Sequence, residues 1–298
     1  MRDKPSSTAL LVARGMSLVA ADPRYAGLIP PAATALTRQF LRSSGLSPAS
    51  ADMSSGLHRS LFGFVQRLTV PGLPLHFALR KRCIEDLVRD SLARGIEQVV
   101  VVGAGLDTLA LRLCREHPSV RFLEIDHPAT QHIKRKAVEE MAPDAILDFI
   151  SADLSHESFR DVIARWPRYG HQRPTLFVAE AIFMYLSQSE VESFFTSLGE
   201  SVIAPRIIFT FMEPRADGSG NFQNATWLAD LFLRFTGEPA RFGISPPSLQ
   251  GFLEVQGFLL EDLISDARYQ SRYMASKAIP LLPRGEHIAV AERMSSRA

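Results

Sequence analysis

Cysteine is scarce in this sequence, and the two that occur, Cys83 and Cys114, both fall within apolar helical patterns. Two such residues cannot build a disulfide framework of the kind that stabilises small secreted domains. No Cys/His spacing typical of a metal site is present, so we expect no bound metal. The cysteine usage therefore predicts a protein of the reducing cytoplasm.

Excess charge of one sign and long apolar runs are missing as well. The 33 Lys and Arg residues nearly balance 32 Asp and Glu residues, so nothing steers the protein toward nucleic acid or an anionic membrane. No apolar stretch approaches the roughly 18–20 residues that span a bilayer. Arg14 interrupts the apolar segment near the start, which is not typical of a signal peptide. We therefore expect a small-molecule substrate, no nucleic-acid or membrane partner, and no particular oligomeric state.

What the sequence does contain is a regular alternation of apolar strands and helices that begins near residue 76. Strands that are apolar almost throughout are typical of a parallel sheet covered by helices on both faces. Five predicted strands have this character: QVVVVG, VRFLEID, ILDFIS, PTLFVAEA and RIIFTFME. Two later segments, FLLEDLIS and EHIAVAER, are expected to complete the sheet. The pattern predicts an α/β fold with a mostly parallel sheet.

The remaining segments predict a helical cover for this sheet. Residues 1–75 show helical patterns separated by Pro, Gly and Ser, without strand alternation. A second helical segment, ATWLADLFLRF, follows the fifth strand. We predict an N-terminal helical lid region over residues 1–75, a cofactor-binding core over 76–298, and a lid insertion at about 214–250.

The turn that follows the first strand, in VVVVGAGLDT, is the first candidate binding feature. Gly103 and Gly105 allow a sharp turn and a close approach of the backbone to a ligand. Asp126 ends the second strand 23 positions after Gly103, where an acidic side chain commonly accepts ribose hydroxyls. Glu124 lies two residues earlier and points to the same side of that strand. Together they predict a nucleotide site beyond the strand ends.

Asp107 indicates which nucleotide this site receives. A dinucleotide fingerprint requires a third glycine where Thr108 stands, and a helix N-terminus free for pyrophosphate. Asp107 instead occupies the helix start, where it caps the helix but would repel a phosphate. S-adenosylmethionine carries a sulfonium and an ammonium and no phosphate, so the sequence favours this cofactor.

Five ordered motifs support the same interpretation: LRKRCIEDLV, VVVVGAGLDT, FLEIDHP, SADL and VAEAIFMYL. With them the chain resembles the leucine carboxyl methyltransferase family, which includes bacterial S-adenosylmethionine-dependent O-methyltransferases of secondary metabolism. The resemblance covers about residues 75–260. It implies a class I methyltransferase with a Rossmann-like sheet.

The resemblance also implies roles for individual residues. Arg80 would pair with the carboxylate of the methionine part of the cofactor, with Gly103 against it, and Asp126 would hold the ribose. Asp153 and the backbone of Leu154 would contact the adenine edge, and Glu180 would lie beside the methionine part. From the residues alone, Arg80 or Arg82 could equally be a solvated helix position, and Asp153 could cap the next helix. Where the family usually has glycine after this glutamate, the chain has Ala181.

The methyl acceptor is predicted from the lack of a histidine placed as a general base and from the position of one tyrosine. No histidine stands in an obvious base arrangement, although His58 and His76 fall near the predicted lid. A carboxylate acceptor is already ionised at neutral pH, whereas a phenol usually needs a base. Tyr185 lies where the family has a tyrosine facing the active-site cleft, and it is the candidate catalytic residue. It could equally be an amphipathic core tyrosine.

The predicted function is therefore S-adenosylmethionine-dependent O-methylation of a small-molecule, polyketide-like carboxylate. Methylation of a protein or peptide C-terminal carboxylate is the alternative within this class. An NAD(P)-dependent oxidoreductase and a non-catalytic cofactor-binding protein are the alternatives outside it. Four aromatic side chains of the predicted lid insertion have two possible roles, lining a substrate pocket or packing in the core: Phe222, Trp227, Phe232 and Phe235.

Overall fold

Seven strands form one sheet in the order β3-β2-β1-β4-β5-β7-β6. The computed structural model describes residues 6–44, 63–65, 68–201, 205–216, 221–235, 240–274 and 281–294. The strands are β1 (Gln98–Val102), β2 (Arg121–Asp126), β3 (Leu147–Ser151), β4 (Thr175–Ala179), β5 (Arg206–Met212), β6 (Phe258–Ile264) and β7 (Glu286–Arg293). Strands β1 to β5 pair in parallel, and β7 is antiparallel to both β5 and β6. The predicted α/β class is confirmed.

Ten α-helices lie among the described residues. They are α1 (Ser7–Ala20), α2 (Pro31–Ser43), α3 (Leu73–Ala93), α4 (Leu109–Glu116), α5 (Pro128–Met141), α6 (Phe159–Ala164), α7 (Gln188–Ser201), α8 (Trp227–Phe235), α9 (Pro246–Val255) and α10 (Asp266–Met274). Helix α3 contains Pro74 in its first turn and ends just before Gly95, whose φ of 94° fits the left-handed region. No helix in the described part of the chain is long and apolar enough to cross a membrane.

The centre of the sheet is buried on both faces. Every residue of β1, β4 and β5 is buried, because helices cover the sheet on each side. Two apolar clusters result, one on each face, and Cys83 and Cys114 are buried without a disulfide in one of them. This is why strands without polar alternation could be recognised in the sequence.

The N-terminal helices share the apolar core of the sheet. Phe40 and Leu41 of α2 belong to the same buried cluster as Val99 of β1 and Leu111 of α4. Helix α1 packs against α3, where a Cβ on Gly15 would lie 3.2 Å from Phe77 Cδ2. Helix α3 crosses the predicted boundary at residue 75, and the division into lid and core stays a prediction.

The strand order places a crevice beside β1. After β1 the chain adds β2 and β3 on one side of it, and β4 and β5 then follow on the other side. The connections that leave β1 and β4 therefore pass over opposite faces of the sheet. Ligands of open α/β sheets bind at such a switch point, beyond the carboxyl ends of the strands.

Candidate functional site

A cavity of about 710 Å³ lies at this edge of the sheet. Its volume falls within the range of roughly 300–1,000 Å³ typical of small-molecule and cofactor sites. All eight residues proposed from the sequence line it: Arg80, Gly103, Gly105, Asp126, Asp153, Leu154, Glu180 and Tyr185. The structure therefore brings together residues that are spread over more than a hundred positions of the chain.

The glycine turn after β1 has the backbone conformation that glycine was expected to supply. Gly103 has a φ of 68° and Gly105 a φ of 51°, both in the region that is unfavourable for residues with a Cβ. A Cβ on Gly103 would also lie 2.9 Å from Ile182 Cδ1. The turn can thus be tight and can approach a ligand closely.

Asp126 lies at the end of β2, directly beside this turn. Its Oδ2 accepts a hydrogen bond from the Gly105 N–H, and its Oδ1 accepts one from the His127 N–H at 2.6 Å. Burial raises the pKa of Asp126, and these two backbone donors act against that rise. The carboxylate is therefore held at the mouth of the turn with lone pairs left for a ligand.

Asp153 follows β3 at the same end of the cavity. Its Oδ1 accepts hydrogen bonds from the Ser155 N–H at 3.1 Å and the Ser155 hydroxyl at 2.5 Å. Helix α6 has Ser158 as its N-cap residue, so Asp153 caps the turn before that helix and not the helix itself. His127 Nε2 lies 3.8 Å from Asp153 Oδ2. Asp153 remains partly exposed to the cavity.

The middle of the cavity contains four charged side chains in one chain of contacts. Arg80 donates from Nε to Glu180 Oε1 at 2.8 Å, and its Nη2 lies 2.7 Å from the same oxygen. Lys81 Nζ donates to Glu180 Oε2 at 3.0 Å and to Asp107 Oδ2 at 2.5 Å. The two cations balance the two carboxylates in a nearly buried environment.

Glu180 and Asp107 are both neutralised by cations of the protein itself. A carboxylate following an apolar strand needs a partner, and Glu180 finds it in Arg80 and Lys81. Asp107 stands one position before the N-cap residue Thr108, and its Oδ1 accepts from the N–H groups of Thr108 and of Leu109, the first residue of α4. Its charge is compensated by Lys81, which the sequence analysis did not single out. Although burial acts to raise the pKa of Asp107, Lys81 holds it well below its usual value.

Arg80 is held on its other side by a residue that does not line the cavity. Arg80 Nη1 donates to Glu286 Oε1 at 2.8 Å and to Oε2 at 2.7 Å, and Glu286 also contacts His76 Nε2 at 2.6 Å. His76 is completely buried and does not line the cavity, so it offers no base to an acceptor there. His58 lies outside the described residues. Arg82, the alternative to Arg80, pairs with Asp86 at 3.2 Å on the half-exposed side of α3.

Tyr185 lies beyond Glu180, in a short 3₁₀ turn (Phe183–Tyr185). Its hydroxyl donates to Thr8 Oγ1 at 3.2 Å, which connects this turn to α1. Ala181, between Glu180 and this turn, has a φ of 53°, and its N–H donates to Thr210 Oγ1 at 2.8 Å. The family's usual glycine at this position is explained by that left-handed backbone.

Glu124 does not belong to the site. Its side chain lies 2.6 Å from Lys134 Nζ, both side chains are 1% exposed, and neither lines the cavity. Burial raises the pKa of Glu124 to about 7, and the Lys134 ammonium opposes this rise. Glu124 does lie on the same side of β2 as Asp126, but Lys134 of α5 pairs with it and separates it from the cavity.

The inserted aromatic residues do not wall the cavity where the structure describes them. Phe222 is buried and packs edge-on against His76, with ring centroids 5.0 Å apart. Trp227 is 69% exposed. The side chains of Phe232 and Phe235 lie outside the described residues.

Several cavity residues were missed by the sequence analysis. Lys81 and Arg241 are cations on the cavity wall, and His156 is a histidine there. Lys81 is adjacent to Arg80 and could have been suspected from the basic run LRKR. The N-cap residue of α1 and residues of the helix itself also line the cavity: Ser6, Thr8, Ala9, Val12, Ala13 and Met16. No local motif marked these residues, because their approach depends on how α1 packs on α3.

The fold and this cavity define a Rossmann-like protein with a nucleotide-type site at the switch point of its sheet. The profile of the leucine carboxyl methyltransferase family matches residues 20–199, which is more than half of the chain. The protein belongs to this family. Membership confirms the predicted family. Relatives described as S-adenosylmethionine-dependent methyltransferases confirm S-adenosylmethionine as the predicted cofactor.

Individual relatives agree with this assignment. A proposed S-adenosylmethionine-dependent methyltransferase of Mycobacterium tuberculosis is 28% identical over 199 residues, covering 64% of this chain and 59% of that protein. A similarly described protein of Streptomyces coelicolor is 26% identical over 174 residues, covering 55% of this chain and 56% of that protein. The matches thus span less than two thirds of these relatives' own length.

Solved structures share the fold over nearly the whole chain. A proposed methyltransferase of Thermobifida fusca superposes with a TM-score of 0.62 at 14% identity, covering 99% of this chain and 97% of that one. A DUF574 family protein of Streptomyces avermitilis gives 0.61 at 15% identity, covering 86% and 96%. The likeness to both confirms the predicted class I methyltransferase architecture.

Proposed function

We propose that this protein is an S-adenosylmethionine-dependent O-methyltransferase whose acceptor is the carboxylate of a small molecule. When bound, the cofactor supplies a methyl group on a sulfonium, an excellent leaving group. The transfer breaks the sulfur–methyl bond and forms an oxygen–methyl bond, and the electron pair returns to sulfur. The protein's main contribution to such a displacement is to hold the three atoms in line.

The residues present fit this cofactor. At one end of the cavity, Asp126 would hold the ribose, and Asp153 with the Leu154 backbone would contact the adenine edge. At the other end, Arg80 and Glu180 would receive the amino-acid part beside Gly103. The positive φ of Gly103 and Gly105 and the closely bonded Asp126 support this placement. These roles rest on the family resemblance and on the shared cavity.

The acceptor end is the part of the cavity beyond Glu180, and its lining carries the proposal of an acidic acceptor. Arg241 lines the cavity and is held beside Tyr185, because its N–H donates to Met184 O at 2.6 Å. Its guanidinium is half-exposed, and the closest carboxylate recorded for it is Glu190, at 3.4 Å. Arg80 and Lys81 are held far more tightly by carboxylates. Arg241 is thus the cavity cation best able to bind a carboxylate.

The placement of the histidines supports an acceptor that needs no base. Among the described residues, His127 and His156 line the cavity. Both neighbour Asp153, since His127 Nε2 lies 3.8 Å from its carboxylate and the His156 N–H donates to its carbonyl at 2.9 Å. They therefore stand at the proposed adenine end. A carboxylate acceptor, with a pKa near 4, is ionised without their help.

The apolar lining at the acceptor end of the cavity suits a small acceptor. Val12 and Met16 of α1, together with Ile182 and Leu186, add apolar surface around Tyr185. The Tyr185 hydroxyl, which donates to Thr8 Oγ1 in this structure, would orient the acceptor oxygen by exchanging that hydrogen bond for one to the acceptor. Methylation of a peptide C-terminal carboxylate is the second candidate, and the matched family favours it.

The experiment uses cofactor labelled in its methyl group and a panel of carboxylic acids, with the matching alcohols and phenols and with peptides that carry a free C-terminal carboxylate. Methyl esters release labelled methanol in mild base, whereas methyl ethers do not, so the linkage is identified directly. We expect base-labile product from the acids, and a raised KM for the acid in Arg241→Gln with little change in KM for the cofactor. Base-stable product would contradict the carboxylate, and label precipitating with a peptide would favour the second candidate. The predicted cytoplasmic location stays a prediction.

A further inference from the structure

Glu286 is a buried carboxylate that the proposed chemistry does not use. It is the first residue of β7, it is 1% exposed, and it does not line the cavity. Because β7 runs antiparallel to β5, Glu286 pairs in register with Met212 at the carboxyl end of β5. An acidic side chain is thereby brought from the C-terminal part of the chain to the edge of the sheet where the cofactor site lies.

Arg80 is fixed between Glu286 and Glu180. Nη1 contacts both oxygens of Glu286, while Nε and Nη2 contact Glu180 Oε1. Since the guanidinium is planar with a rigid set of five donors, contacts to three nitrogens fix its orientation. Arg80 is itself only 3% exposed. The guanidinium therefore cannot turn without breaking a contact to one carboxylate.

Glu286 is in turn fixed from its far side. His76 Nε2 lies 2.6 Å from Glu286 Oε2, and the Tyr269 hydroxyl contacts His76 Nδ1 at 3.2 Å and the Glu286 carbonyl at 3.3 Å. All three side chains are buried. Despite its burial, the contacts with Arg80 and His76 lower the pKa of Glu286 to about 2. The carboxylate facing Arg80 is thus a fixed negative charge.

We propose that Glu286 is a positioning residue for the cofactor, which acts through Arg80 on Glu180. With Glu286 in place, Arg80 divides its donors between two carboxylates, and Glu180 keeps negative charge directed at the cavity. Without it, Arg80 keeps Glu180 as its carboxylate partner and neutralises more of its negative charge, which weakens the attraction of Glu180 for the ammonium of the cofactor. The proposal rests on the placement of the amino-acid part given above, and not on the nature of the acceptor.

The test compares two ligands that differ only in the part that Glu286 is expected to influence. S-adenosylhomocysteine carries the amino-acid part, whereas 5′-methylthioadenosine has the same adenosine and sulfur without it. Calorimetry with Glu286→Gln should give at least a tenfold weaker Kd for S-adenosylhomocysteine and a Kd within twofold of wild type for 5′-methylthioadenosine. The matched control is Glu292→Gln on the same strand, whose carboxylate pairs with Arg206 at the opposite edge. It should change neither Kd.

A double-mutant cycle tests the route of the effect. If Glu286 acts through Arg80, the loss in Arg80→Gln combined with Glu286→Gln should be clearly smaller than the product of the two single losses. His76→Gln leaves the Glu286 carboxylate in place and removes one of its partners, so a smaller loss, about threefold, is expected for S-adenosylhomocysteine. This variant also serves if Glu286→Gln does not fold.

The outcomes separate this proposal from the cofactor assignment. Equal weakening of both ligands would mean a general structural role and would overturn the proposal, as would an unchanged Kd for S-adenosylhomocysteine in both variants. Wild-type protein that fails to bind S-adenosylhomocysteine would instead overturn the cofactor site, and the proposal with it. Selective loss for the ligand with the amino-acid part, coupled to Arg80, would support it.

Discussion

The buried pair of Glu124 and Lys134 allows a quantitative prediction about the free energy of unfolding. Lys134 Nζ lies 2.6 Å from Glu124 Oε2, and both side chains are 1% exposed. The Phe40 ring of α2 lies 5.7 Å from the same ammonium, so the pair is enclosed between β2, α5 and α2. At pH 8, where Glu124 is ionised, Lys134→Met leaves a buried carboxylate without a partner, which should lower the free energy of unfolding by about 3–5 kcal/mol.

Removing both charges should be far less harmful than removing one. Glu124→Gln combined with Lys134→Met eliminates the cost of burying two ions, so its free energy of unfolding should return to within about 1 kcal/mol of wild type or exceed it. The control is Arg135→Met, because Arg135 follows Lys134 on α5 and its pair with Glu139 is exposed on both sides. That change should cost less than about 1 kcal/mol.

The pH dependence of stability has a defined sign. Burial raises the pKa of Glu124 from 4.5 to about 7, so the folded state binds this proton more tightly than the unfolded state. The stabilisation is complete below pH 4.5 and is lost as the pH rises through 7. The stabilisation lost over this range is on the order of a few kcal/mol. Glu124→Gln should remove this part of the pH dependence.

Denaturant unfolding at pH 5 and pH 8, with S-adenosylhomocysteine affinity measured on the same samples, checks all of these values. The reasoning is refuted if, at pH 8, Lys134→Met is no more destabilising than Arg135→Met, or if the double variant is as unstable as the single one. A tenfold loss of ligand affinity in Glu124→Gln with unchanged stability would return Glu124 to the binding site.

Three further changes test the site itself. Asp126→Ala should weaken S-adenosylhomocysteine binding at least tenfold by calorimetry, about the loss of one charged hydrogen bond. Tyr185→Phe should lower kcat by at least about tenfold, since it removes one hydrogen bond to the acceptor, and should leave the cofactor KM unchanged. Ala181→Gly should raise the free energy of unfolding by up to about 1 kcal/mol, because glycine adopts the φ of 53° without strain. Normal binding by Asp126→Ala, an unchanged rate in Tyr185→Phe, or destabilisation by Ala181→Gly would each contradict the assigned role.

The strands were predictable because their burial leaves a direct mark on the sequence. β1 and β4 are covered on both faces and are apolar at nearly every position, and glycine follows β1 where the backbone enters the left-handed region. The helix that starts at Pro128 was found for a similar reason, because proline in the first turn is a local signal. The position of β7 between β5 and β6 carries no such mark. Antiparallel insertion is decided by how the last segments pack, and helix α10 was missed as well.

The same distinction explains which half of the site the sequence revealed. Four residues stand at or just after the carboxyl end of a parallel strand, and such ends must meet at one edge of the sheet: Gly103, Asp126, Asp153 and Glu180. The sequence alone therefore brings together the residues proposed to face the cofactor. Arg241 reaches the cavity through backbone contacts to the turn after β4, Thr8 through α1, and Glu286 because β7 runs backwards.

These three approaches depend on tertiary packing between segments that are more than fifty residues apart in the sequence, so no spacing rule could have predicted them. They supply the acceptor end and the support of Arg80, and these are the parts of such a site that can vary while the cofactor stays the same. The methyl donor can thus be predicted from residues at the strand ends, whereas the acceptor cannot be predicted from the sequence. It follows that the acceptor should be sought through variants of Arg241 and Thr8, since changes at the strand ends will report only on the donor.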